Sequence, residues 1–202
     1  GTVHAQDSLK LVPTISVDSL DLLALQLEDD LRDQQGLAPR YAVPNPVAIT
    51  AATHGHWETL DDKLAMWRLR FTCKNAISMN FGFQRWLLPI DSEMMIYNVE
   101  GTHRIRPFTI DDYNDSGELW TPAVAGGDVI IEISCPQNAV SLIQEEIKLT
   151  SINAGYRGFH EAFGQQPLPN NTPGISGSCN IDVACPESVG WENEIDCVGV
   201  IS

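Results

Sequence analysis

Between residues 65 and 73 the odd positions are apolar, with Trp67, Leu69, Phe71 and Cys73 in phase, while Arg68, Arg70 and Thr72 take the even ones. Side chains of an extended strand alternate between two faces, so this run fits a β-strand with one buried face; a helix would scatter the same residues around its circumference. Ile77, Met79, Phe81 and Phe83 repeat the pattern against Ser78, Asn80 and Gln84, and Val129, Ile131, Ile133 and Cys135 repeat it again. Met94 to Val99 and Ile147 to Ile152 supply further strands. Gly101, Asn114-Asp115-Ser116-Gly117 and Gly126-Gly127 punctuate them as turns. Many short strands, each with one apolar face and without alternating helices, predict an all-β fold, an antiparallel β-sandwich of jelly-roll type.

A different period precedes these strands. Leu20, Leu23, Leu27 and Leu31 recur on one stripe, Ser16 or Asp18 can cap a helix start, and Gly36 suits the position just past its end. The spacing predicts an amphipathic helix over 17–35, with Asp29, Asp30 and Asp33 on other faces. The leucine stripe has two readings: it packs on the chain's own sheet, or it docks against a partner. Pro39, Pro44 and Pro46 then mark an extended connector, since proline lacks the N–H and pushes its predecessor out of the helical region. The chain therefore divides into an N-terminal segment, 1–39, a β-rich domain, 40–160, and a linker, 161–173, rich in Gln, Pro and Asn with little to bury.

The net charge of −15 over 202 residues argues against nucleic acid and anionic membranes, which reward clustered Lys and Arg. No apolar run approaches the roughly 20 residues needed to span a bilayer. Val3-His4-Ala5 has the small-residue spacing of a signal-peptidase site, which gives the expectation of a secreted chain beginning just before that cut. Asp111-Asp112 with Asp115, and Asp61-Asp62 with Glu58, lack the spacing of a calcium loop and read as solvated acidic turns. His54-Gly55-His56 has no third ligand at zinc-site spacing, so neither a metal nor another cofactor is expected. Asn114-Asp115-Ser116 and Asn170-Asn171-Thr172 match the glycosylation sequon by composition alone. Trp67 lies in the buried phase of its strand. Trp57, Trp86 and Trp120 flank strand ends, where core packing competes with an exposed, sugar-binding platform.

Five cysteines leave one without a partner within the chain. Cys73 and Cys135 each close a strand in the apolar phase, and two states remain open for them: a disulfide, or two small buried hydrophobes.

The run Gly174-Ile175-Ser176-Gly177-Ser178-Cys179-Asn180-Ile181-Asp182-Val183-Ala184-Cys185-Pro186-Glu187 resembles the start of the mature catalytic domain in secreted bacterial lysyl endopeptidase-like serine proteases, which have the trypsin fold. Upstream, Trp57, Met66-Trp67-Arg68-Leu69, Leu88-Pro89, Leu119-Trp120-Thr121-Pro122, Gly127-Asp128 and Gly155-Tyr156-Arg157-Gly158-Phe159 are similar in order to the β-rich pro-region of the same precursors.

The resemblance implies that residues 174–202 begin a trypsin-like β-barrel and that Pro173 and Gly174 flank the processing junction. It also implies that Cys179 and Cys185 pair with cysteines deeper in the catalytic domain, beyond this sequence, and it offers no counterpart for Cys197. A lysine-specific enzyme maturing itself would cut after Lys, and Pro173 departs from that pattern. Catalysis in this fold needs a His base, a buried Asp and a Ser nucleophile. His4, His54, His56, His103 and His160 all precede the motif, and no nucleophile turn occurs, so no residue here is expected to be catalytic. The expectation is a non-catalytic pro-region that assists folding of, or inhibits, its partner, the catalytic domain of the same precursor. The alternative is an accessory β-sandwich module binding carbohydrate or protein.

Overall fold

A computed structural model describes residues 12–157. In chain order the strands are β1 (Thr14–Val17), β2 (Ala42–Thr50), β3 (His56–Thr59), β4 (Leu64–Cys73), β5 (Ser78–Arg85), β6 (Glu93–Asn98), β7 (Leu119–Trp120), β8 (Val124–Ala125), β9 (Asp128–Pro136) and β10 (Lys148–Gly155). Two α-helices accompany them, α1 (Leu22–Gln34) and α2 (Val140–Glu146). The strands form two open five-stranded sheets, so the architecture is all-β. No helix among the described residues is long and apolar enough to cross a membrane.

The first sheet runs β1-β4-β9-β6, with β3 also on β4. The period-two pattern explains its centre. β4 and β9 are antiparallel from Leu64 opposite Pro136 to Thr72 opposite Asp128, which sets Trp67 beside Ile133, Leu69 beside Ile131 and Phe71 beside Val129 on one buried face. The opposite face carries the charges: Arg68 opposes Glu132, and Arg70 holds the Asp128 carboxylate through Nε at 2.7 Å. With β9 on one edge of β4, the other edge is shared by β3, antiparallel along Ala65–Arg68, and β1, parallel along Arg70–Cys73.

The second sheet runs β2-β10-β5-β7, with β8 also on β5. A bulge between Leu149 and Ser151 shifts the phase of β10, so Leu149, Ile152 and Ala154 are all buried although their spacing is three and then two. Both sheets contribute to one apolar cluster, where the Phe71 ring of the first lies 5.1 Å from the Phe81 ring of the second. Trp86 closes one end, buried against Phe83 at 5.4 Å and Phe108 at 6.2 Å.

Two boundaries differ from the sequence expectation. Pro44 and Pro46 lie inside β2 rather than in a connector, because β2 is an edge strand paired only with β10 and a missing N–H can face outward there. The helix begins at Leu22, five residues later than expected, because Thr14–Val17 is extended as β1 and brings the N-terminal segment into the first sheet.

Candidate functional site

Helix α1 is built by strong local signals. Asp21 is the N-cap, its carboxylate accepting from the Ala24 N–H at 3.1 Å. At the other end Gly36, at φ +69°, lets its own N–H reach Asp33 O at 3.1 Å and the Leu37 N–H reach Arg32 O at 3.0 Å, the paired bonds of a Schellman cap. Before the cap, Leu20 is buried, with its N–H on Lys74 O at 3.1 Å and its carbonyl accepting from Asn75 Nδ2 at 2.8 Å. Leu20 and Leu25 both pack on the core from the positions of a hydrophobic staple, and this fixes the rotation of the helix.

That rotation turns the leucine stripe outward. Leu25 and Asp29 face the body, whereas Leu23, Leu27 and Leu31 are 69, 59 and 58% exposed. At about 100° per residue these three lie on the side opposite Leu25 and Asp29. Of the expected stripe only Leu20, which precedes the helix, packs on the chain's own core. Leu22 and Leu37 add exposed apolar surface near the two helix ends.

The inward side is held by a carboxylate. Asp29 is the one buried residue of α1. It accepts from Tyr156 Oη at 2.7 Å and Arg40 Nε at 3.0 Å, with Arg157 at 3.5 Å. Arg40 also reaches Glu28 at 2.9 Å, and Arg157 reaches Asp33 at 3.8 Å. The Tyr156 hydroxyl, foremost, and the guanidinium groups of Arg40 and Arg157 hold the Asp29 carboxyl below its ordinary value of 3.8, against the opposing effect of burial. Burial, foremost, and the Asp29 carboxylate raise the Tyr156 hydroxyl. A groove lined by Leu22, Gln26, Asp29, Asp30, Tyr156 and Arg157 runs beside this cluster. The sequence placed Asp29 on a polar face but gave no sign of its partners, which lie 11 to 128 residues away.

Among the described residues, those singled out in the sequence do not gather into another site. Cys73 and Cys135 are both buried thiols, not a disulfide. The register gives the reason: Cys135 is opposite Ala65, eight residues from Cys73 along β4. That is about 26 Å of strand, against the ~7 Å between Cα atoms that a bridge tolerates. Cys73 Sγ donates to Asp18 O at 3.3 Å, and burial raises both thiols, Cys135 to about 11. Pro173, Gly174, Cys179, Cys185 and Cys197 lie outside the described residues, as does the 161–173 linker.

The acidic turns are engaged within the chain. Asp112 closes a capping box with Thr109 and pairs with Arg106, Asp61 accepts from the Lys63 and Leu64 N–H groups at 2.8 and 2.9 Å, and Glu58 pairs with Arg68 at 2.7 Å. No group of three or more potential metal ligands occurs among the described residues. His54 contacts Thr53 Oγ1 at 2.9 Å, and His103 Nδ1 accepts from the Ala125 N–H at 2.9 Å. In the sequon turn Asn114 bonds Ser116 and donates to Glu118 O at 2.8 Å. Trp86 is core, and Trp57 packs partly on it with its indole N–H on Ala51 O at 2.9 Å. Trp120 alone of these is exposed, lying over Gly82, where a Cβ would sit 2.3 Å from the ring.

Fold and site together define an all-β body that presents a leucine face on an anchored helix. No protein-family model matches the chain.

Proposed function

We propose that this chain is the pro-region of a secreted serine endopeptidase precursor: a jelly-roll-like β-sandwich followed by residues 174–202 as the first strand region of a trypsin-like barrel. The observation that carries the reading is the leucine stripe of α1. An amphipathic helix ordinarily turns its apolar side to its own core. This one turns Leu23, Leu27 and Leu31 away from it and uses a buried carboxylate as its anchor. Contiguous exposed apolar surface marks an interaction site. The resemblance of the run from Gly174 to Glu187 supports the catalytic domain of the same precursor as the partner. By binding the folded form of the catalytic domain and not its unfolded chain, the pro-region would stabilise a barrel with many non-local strand pairings and cover it until removal.

The test is refolding of the denatured catalytic domain with and without added pro-region, alongside inhibition of the native enzyme. The pro-region should speed refolding and inhibit the native enzyme; no effect on either defeats the proposal. A second reading, an accessory module binding carbohydrate, is favoured by the exposed ring of Trp120. Glycan binding by the chain that disappears in Trp120→Ala would select it.

A further inference from the structure

We propose that the Leu23, Leu27 and Leu31 stripe of α1 is the docking surface for the catalytic domain, and that its counterpart is an apolar groove rimmed by lysine or arginine. The inference rests on the function proposed above and adds the place and chemistry of the contact.

Charge selects the partner. Asp30 and Asp33 flank the stripe on one side and Glu28 on the other. The basic groups nearby are committed within the body: Arg32 donates to Ala38 O at 3.1 Å, Arg40 holds Asp29 and Glu28, and Arg157 holds Asp29 and Asp33. Asp30 has no ion pair among the described residues, so the rim presents negative charge. A second copy of this chain, at net −15, would set acid against acid, and nucleic acid or an anionic bilayer would do the same. A groove with a basic rim gains both apolar contact and charge complementarity.

Chain geometry points the same way. The described body ends at Arg157, whose guanidinium is itself paired with Asp29 and Asp33 of α1. The described polypeptide thus ends at a residue that is itself beside the helix. A domain tethered there meets the stripe at an effective concentration on the order of millimolar, so a modest contact suffices while the chain is intact and weakens once it is cut. The pairs Arg40–Asp29 and Tyr156–Asp29 fix the helix before the partner arrives, which reduces the ordering cost of docking.

The test places the full chain on a surface and measures binding of a mature lysyl endopeptidase of the resembled family, its serine blocked with a sulfonyl fluoride, at low and high salt. The wild-type chain should bind, more weakly as salt rises. Leu27→Asp with Leu31→Asp should weaken binding about 100-fold or more, and Asp30→Asn should flatten the salt dependence. These positions are exposed, so folding should be retained; if the aspartates disturb it, Leu27→Ala with Leu31→Ala should still lose roughly tenfold or more. Equal affinity for wild-type and leucine variants overturns this inference and leaves the pro-region reading standing. No binding by the wild-type chain overturns both. Self-association of the wild-type chain that the leucine substitutions abolish would assign the stripe to a second copy and overturn the inference.

Discussion

Replacing Asp29 with alanine tests whether a carboxylate holds α1 in place. The substitution removes the acceptor for Tyr156 Oη at 2.7 Å and for Arg40 Nε at 3.0 Å. Hydrogen bonds to a charged group contribute about 1.5–3 kcal/mol each when desolvated. Here the Arg40 and Arg157 side chains stay 30 and 42% exposed, so water replaces part of what is lost and screens the charges. The net loss should be about 2–3 kcal/mol, which for a domain of this size lowers the melting temperature by roughly 5–10 °C. Thermal unfolding of the full chain by circular dichroism reads it directly.

The pH dependence sharpens the test. Asp29 ionises more readily in the folded chain than in the unfolded one. Its contribution is therefore complete above the ordinary value of 3.8 and is lost as pH falls through the lower folded value. The stability gap between wild type and Asp29→Asn should be constant from neutral pH down to about 5 and narrow below about 3.8. A melting temperature for Asp29→Ala within about 1 °C of wild type at neutral pH, or a gap that widens on acidification, would refute the anchoring role.

Two further outcomes are expected. Asn98 is buried; its Oδ1 accepts from the Thr102 and His103 N–H groups at 2.9 and 3.0 Å, and its Nδ2 donates to Ala125 O at 3.2 Å, so Asn98→Ala should cost about 2–4 kcal/mol in urea unfolding, and a loss under about 1 kcal/mol contradicts this. Cys73 and Cys135 should resist iodoacetamide in the native chain and react once it is denatured without reductant, since both are buried and burial pushes the Cys135 thiol up to about 11; a linked Cys73–Cys135 peptide in a mass map would overturn the β4–β9 register.

The strands were legible where local pattern decides the outcome. Alternation in β4 identified the buried residues one by one, because a period of two leaves no choice once one face is apolar; in β9 it identified Val129, Ile131, Ile133 and Cys135 but missed Ile130, which is buried on the other face. The same was true of Gly36, whose left-handed backbone the Schellman cap requires. What sequence missed depends on residues far apart. Pro44 and Pro46 spoke against a strand, and only the edge position of β2 admits them. The shared phase of Cys73 and Cys135 suggested proximity, but antiparallel pairing sends strands of like phase past each other and leaves the two sulfurs at opposite ends. The leucine stripe was visible, yet its direction was not. Periodicity defines a face, while the staple of Leu20 and Leu25 and the distant Arg40, Tyr156 and Arg157 decide which way it turns.

The place of β10 carries a consequence for synthesis. It is the last strand among the described residues, yet it lies between β2 and β5, and neither pairs with the other. As the polypeptide emerges from a ribosome or a translocation channel, the second sheet has a gap at its centre until residues 148–155 are out. Vectorial, strand-by-strand assembly is thereby precluded, and closure of this sheet becomes a single late event. A chain halted at residue 147 would hold every other strand of the two described sheets and still lack the one that joins β2 to the rest, so ribosome-stalled lengths on either side of that point should differ sharply in protease resistance.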